Sequence, residues 1–248
     1  MKILASDYDG TLNHNGIDDA KKEAIATWRK AGNIFALISG RGMKDVKRIY
    51  DKGNFECDYL LADNGAVILT PDGEIVSDIR CDGSIAYPLI SFLIESGCPW
   101  GNIDNNNSVR VYSKDCCERK SEDYTLDNFP HIEYFNQIST MLPTFEEAEK
   151  VTAGIKEKFS HCLNPLQNGQ CIDIVSSDVN KAKGLYILIK LLNASKSDVI
   201  TVGDNINDKD MIAEFRSYAM ENGVDSIKAL ADCVTPGITE LIKKEMKQ

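Results

Sequence analysis

Asp7 and Asp9 lie two residues apart in Asp7-Tyr8-Asp9-Gly10-Thr11, directly after the apolar run that ends at Ser6. A second acidic cluster, Asp204-Asn205-Ile206-Asn207-Asp208, also follows an apolar run. Two such clusters at neighbouring strand ends would repel unless a cation sat between them. Mg²⁺ suits them, because it takes oxygen ligands, keeps waters and is commonly shared with a substrate phosphate. Asp7, Asp204 and the main-chain carbonyl of Asp9 form an economical ligand set. Phosphoryl transfer needs an in-line nucleophile, neutralisation of the equatorial oxygens and a proton for the leaving group. Asp7 can attack phosphorus to give an acyl phosphate. Asp9 can protonate the departing alcohol and later take a proton from water.

Two further groups could hold the phosphate. The Ser39 hydroxyl and the Gly40 N–H follow another apolar run and could bind a phosphate oxygen. Lys183, beside Gly184, would balance the carboxylates. Gly184 costs its helix about 1 kcal/mol relative to Ala, which points to close packing near a site.

The elements that must position these groups alternate. Strands are expected over Lys2–Ser6, Asn33–Ile38, Tyr59–Ala62 and Asp198–Val202. Helices are expected from Asp18 or Asp19 to Ala31, after Gly42, over Lys181–Leu192 and over Asp208–Phe215. Val67–Leu69 and Ile75–Val76 flank Pro71-Asp72-Gly73 as a hairpin. This rhythm predicts an α/β fold, a parallel sheet with helices on both faces. Ligands then sit beyond the carboxyl ends of the strands, where the clusters at Asp7, Ser39, Asn64 and Asp204 all fall. Between about Cys81 and Asp178 the rhythm changes. Helices over Ile85–Glu95 and Phe145–Phe159, strands at Val109–Tyr112 and Cys171–Val175, and a polar stretch from Asn102 to Ser108 suggest a small α+β module.

The 248 residues allow one or two domains, and a net charge of −10 disfavours nucleic acid as a partner. The eight cysteines show no metal-binding spacing and are expected as reduced thiols. No run reaches the roughly 20 apolar residues of a membrane span. The opening residues meet Asp7 too soon for a signal peptide, so a cytoplasmic location is expected.

In order, Asp7-Tyr8-Asp9-Gly10-Thr11, Ser39-Gly40-Arg41, Lys183-Gly184 and Gly203-Asp204-Asn205-Ile206-Asn207-Asp208 resemble the four motifs of the haloacid dehalogenase (HAD) superfamily. Asp63-Asn64-Gly65-Ala66 and Met211 extend the resemblance to the Cof-type branch. It implies a Rossmann-like core over 1–80 and 180–248, with a class IIB cap over 81–179. It implies that Asp7 is the nucleophile, Asp9 the acid/base and Asp204 a metal ligand. Asp208 would ligate the metal or orient its water, and Asn207, Ser39 and the lysine would bind phosphate. Arg41 would lie near substrate or cap. The implied activity is Mg²⁺-dependent hydrolysis of small phosphorylated metabolites, sugar phosphates first. Phosphomutase and a phosphate-binding regulator remain as alternatives. The cap sequence names no substrate, and nothing in the chain reveals an oligomeric state.

Overall fold

The computed structural model describes residues 1–247. The chain forms two compact units, one from residues 1–77 and 180 onward, the other from residues 78–179. The sequence had suggested junctions at 80/81 and 179/180; Gln248, the end of the expected core, lies outside the described residues.

The chain opens with β1 (Ile3–Asp7), α1 (Asp19–Lys30), β2 (Ile34–Ile38), α2 (Met43–Gly53) and β3 (Tyr59–Ala62), then a hairpin of β4 (Val67–Leu69) and β5 (Ile75–Asp78). The second unit holds β6 (Cys81–Asp82), α3 (Ala86–Glu95), β7 (Trp100–Asp104), β8 (Ser108–Tyr112), β9 (Tyr134–Phe135), β10 (Gln137–Met141), α4 (Phe145–Phe159), β11 (Leu163–Asn168) and β12 (Cys171–Ser176). The first unit resumes with α5 (Lys181–Leu191), β13 (Val199–Gly203), α6 (Lys209–Glu214), β14 (Arg216–Met220), α7 (Asp225–Leu230), β15 (Cys233–Thr235) and α8 (Ile238–Glu245).

In the first unit the sheet order is β15-β14-β13-β1-β2-β3-β4-β5. Every pair from β15 to β3 is parallel, and β4 turns antiparallel against β3. The chain steps one way from β1 to β3 and the other way from β13 to β15. The β1/β13 boundary is therefore a switch point, where a crevice opens at the carboxyl ends. Ile3, Ala5, Ile38 and Val199 pack with Leu185, Leu188 and Met211 on one face. The alternate side chains face the α1 side, where Ile25 and Trp28 are fully buried. Each such aliphatic contributes about 1.5–3 kcal/mol of burial. The Asp18 side chain caps α1 by accepting from the Lys21 N–H at 2.9 Å.

The second unit is a five-stranded antiparallel sheet, β11-β12-β10-β7-β8. Ile103, Val111, Ile138, Ile172 and Ile174 project from it into one core with Leu89, Ile90 and Leu93 of α3 and Ala148, Val151 and Ile155 of α4. The expected polar stretch from Asn102 to Ser108 is mostly strand, because β7 and β8 form a hairpin with Asn105–Asn107 at its tip. All eight cysteines are free thiols. No helix among the described residues is long and apolar enough to cross a membrane.

Candidate active site

Asp7 is the last residue of β1 and is 5% exposed. After it the chain makes a tight turn. Asp9 (φ −78°, ψ 121°) and Gly10 (φ 79°, ψ −10°) take the two central positions of a type II turn, which requires positive φ at the second. A Cβ on Gly10 would also come within 2.3 Å of an Asp204 oxygen, so glycine serves both the turn and the approach of Asp204. The Thr11 hydroxyl donates to Asp204 Oδ1 at 2.8 Å and fastens the two loops.

Asp204 follows β13. Asn205 caps the turn at Ile206–Asp208, so Asp208 points back beneath the loop. Its Oδ2 accepts the N–H groups of Asp204 and Asn205 at 2.9 and 3.1 Å. Its Oδ1 accepts from Lys181 Nζ at 2.5 Å, and the same ammonium donates to Asp7 Oδ1 at 2.6 Å. Lys181 and Asp208 are fully buried.

The lysine of this site is therefore Lys181 and not Lys183, which corrects the sequence expectation. Successive helical residues are about 100° apart, so positions 181 and 183 look in nearly opposite directions. Lys181 shares the buried stripe of α5 with Ala182, Leu185 and Leu188, whereas Lys183 is exposed. Asn180 caps α5 by accepting from the Lys183 N–H at 2.8 Å. The signal was present in the sequence as a lysine at i against leucines at i+4 and i+7.

Gly184 explains how α5 comes close enough. A Cβ there would lie 2.8 Å from the Gly65 Cα, backbone against backbone. Gly65 ends the turn Asp63-Asn64-Gly65, which follows β3 and in which all three residues have positive φ. That turn meets Ser39 as well, whose carbonyl accepts from the Asn64 N–H at 2.9 Å. Ser39 is 2% exposed, and its hydroxyl accepts from the Arg41 N–H at 3.1 Å. Gly40 and Asn207 are half-buried on the same rim.

Arg41 grips Asp9 with a two-pronged ion pair, Nε to Oδ2 at 2.6 Å and Nη2 to Oδ1 at 2.7 Å. Both side chains are more than 40% exposed. The Asp9 hydrogen bond raises the Arg41 pKa further. The Asp9 carboxylate is thus turned to Arg41 and is not part of the acidic cluster, so of the expected metal ligands only Asp7, Asp204 and Asp208 bring carboxylates together.

Those three can each offer an oxygen within 4.8 Å of the others. Burial, aided by the charges of Asp208 and Asp204 and opposed by Lys181, drives the Asp7 pKa well above the ordinary carboxylate range. Burial likewise raises Asp204. Burial pulls Lys181 down, but Asp208 and Asp7 outweigh it and leave its pKa raised. With all three ionised, the carboxylates would outnumber the one ammonium by two negative charges. Hard oxygen donors with that excess fit a divalent cation. Because Asp208 already serves Lys181 and two backbone N–H groups, Asp7 and Asp204 are the freer donors.

A parallel α/β sheet with a buried carboxylate cluster and a bridging lysine at its switch point is an arrangement suited to phosphoryl-transfer chemistry. The family model of haloacid dehalogenase-like hydrolases matches residues 4–240, and the chain belongs to that family. Phosphatase YwpJ of Bacillus subtilis is 25% identical over 274 residues, covering 95% of this chain and 94% of its own. A haloacid dehalogenase-like hydrolase from B. subtilis superposes with a TM-score of 0.82 at 22% identity, covering 98% and 99% of the two chains. A sugar phosphatase of HAD subclass IIB superposes with a TM-score of 0.78 at 18% identity over 99% of each. Like these relatives, the protein is an enzyme of the phosphatase type.

Proposed function

We propose that the protein hydrolyses small phosphate monoesters, sugar phosphates foremost, through a phosphoryl group carried on Asp7, with Mg²⁺ as its metal. The observation that carries this reading is the Lys181 ammonium held between Asp7 and Asp208 beside Asp204. It keeps the Asp7 carboxylate oriented at the strand end, with its charge balanced. The sugar-phosphatase neighbour supports the substrate class.

The chain's own groups account for each step. Asp7 attacks phosphorus, and the bond to the leaving oxygen breaks as Asp9 passes its proton to that oxygen. Asp9, now a carboxylate, takes a proton from water as the water attacks phosphorus and frees Asp7. Arg41 must release Asp9, and Asp9 must take up a proton from solvent, before that first transfer; the exposed position of the pair permits both. Ser39, Gly40 and Asn207 on the rim would hold phosphate oxygens, while Lys181 neutralises the Asp7 side. Mg²⁺, held by Asp7, Asp204 and the Asp9 carbonyl, with Asp208 in support, would supply neutralisation of the phosphoryl charge.

Phosphate release from an aryl phosphate and a panel of sugar phosphates tests this. The wild type should release phosphate with Mg²⁺ and not after EDTA, and Asp7→Asn should abolish release. Mg²⁺ should also raise the Tm of the wild type more than that of Asp204→Asn. Release that survives Asp7→Asn would refute the mechanism.

A further inference from the structure

Asn222 lies outside every motif that drew attention in the sequence, yet the turn after β14 touches both acidic loops. Asn222 Nδ2 donates to the Gly10 carbonyl at 2.9 Å. Two residues on, the Val224 N–H donates to the Asp204 carbonyl at 2.9 Å. Between them Gly223 passes so close that a Cβ would sit 3.0 Å from the Asp204 carbonyl oxygen. One short turn therefore braces the Asp9–Gly10 loop on one side and the Asp204 loop on the other.

The brace bears on Asp9 in particular. Its side chain is about half exposed, so packing does not aim it. Its direction follows from the turn backbone, once Arg41 has let go. The Gly10 carbonyl belongs to the peptide that leaves this type II turn, and rotation about ψ of Gly10 would swing it. Gly10 is the pivot, because it tolerates many conformations. Holding the Gly10 carbonyl through Asn222, and Thr11 through Asp204, fixes the exit of the turn on which Asp9 sits.

We infer that Asn222 is a positioning residue for Asp9, holding the turn so that the acid meets the leaving oxygen. This rests on Asp9 as the general acid proposed above. Asn222 is exposed, so its hydrogen bond adds little to stability, and a purely structural role has little to act on.

The test is release of the leaving alcohol in a single turnover, from an aryl phosphate and from an alkyl (sugar) phosphate. An aryl oxide leaves without much help, whereas an alkoxide needs the proton. Asn222→Ala should slow the alkyl ester by about tenfold or more and the aryl ester by less than about threefold. KM and Tm should stay near wild type. Asn222→Asp, which sets an acceptor against the Gly10 carbonyl, should be at least as slow on the alkyl ester. Asp9→Asn, run beside them, should show the same selectivity more strongly. Selectivity in Asp9→Asn with equal or no slowing in Asn222→Ala would overturn the inference and leave Asp9 as the acid. No selectivity in Asp9→Asn would overturn both.

Discussion

Lys181 is a fully buried cation whose only anionic neighbours in contact are Asp7 and Asp208 among the described residues. Removing one partner from such a group leaves uncompensated charge, typically at a cost of about 3–5 kcal/mol. Here the cost falls on the proposed nucleophile, because Asp7 would lose the ammonium that opposes its burial. Lys181→Met should therefore lower phosphate release by at least about a hundredfold, as loss of a preorganised charge does at other sites. Lys183→Ala should keep activity within about twofold, since an exposed helical lysine is close to neutral on substitution. Equal losses in the two variants would show that the lysines had been assigned wrongly. That Asp7 and Asp204 would meet was legible in the sequence, because each directly follows an apolar run that forms a strand. The choice between Lys181 and Lys183 was not a matter of composition. It depended on which lysine shares the stripe of Leu185 and Leu188, and the periodicity held that answer.

At the scale of elements, the contact of Gly184 with Gly65 sets how closely α5 approaches the turn after β3. Gly184→Ala gains about 1 kcal/mol of helix propensity. It also puts a methyl group into backbone that has no side chain to move aside. Overpacking of that kind typically costs about 1–3 kcal/mol. The net expectation is a lower denaturation midpoint with a larger loss of activity, because Lys181 rides on the displaced helix. A midpoint raised above wild type would contradict this packing. The sequence hinted at the contact through a glycine inside a helix, but could not name its partner 119 positions away. Strands of the second unit were harder still. β11 contains Pro165, which argues against a central strand, and it proves to be an edge strand, where a missing N–H can be tolerated. β7 was hidden by its asparagine-rich tip. Long-range pairing, absent from any local window, made both into sheet.

At the scale of the whole molecule, the two ends of the chain close the first unit. Glu245 of α8 has a fully buried side chain. It accepts from the Tyr218 hydroxyl at 2.6 Å, from Arg216 at 2.6 Å and from Lys2 at 3.3 Å. Strand β1 and strand β14 are thus pinned to the last helix, at the end of the sheet opposite the acidic cluster. Burial, with Glu245 beside it, raises the Tyr218 pKa. Glu245→Ala would strand the Tyr218 hydroxyl and should cost about 2–4 kcal/mol, read as a lower denaturant midpoint. KM of the correctly folded fraction should be unchanged, because no group of the site is touched. A shift in KM without loss of stability would contradict the separation of clasp and site. The α/β rhythm and the inserted module were legible from strand and helix alternation; this clasp was not, because its members are scattered from residue 2 to residue 245.

The central claim is that Asp7 carries the phosphoryl group. The most direct measurement is an acid quench during turnover with Mg²⁺ and the best phosphate ester found, followed by peptide mapping by mass spectrometry. The account predicts one phosphoryl group on the peptide that contains Asp7, present in the wild type and missing from Asp7→Asn. Label on any other residue, or steady phosphate release by Asp7→Asn, would contradict it.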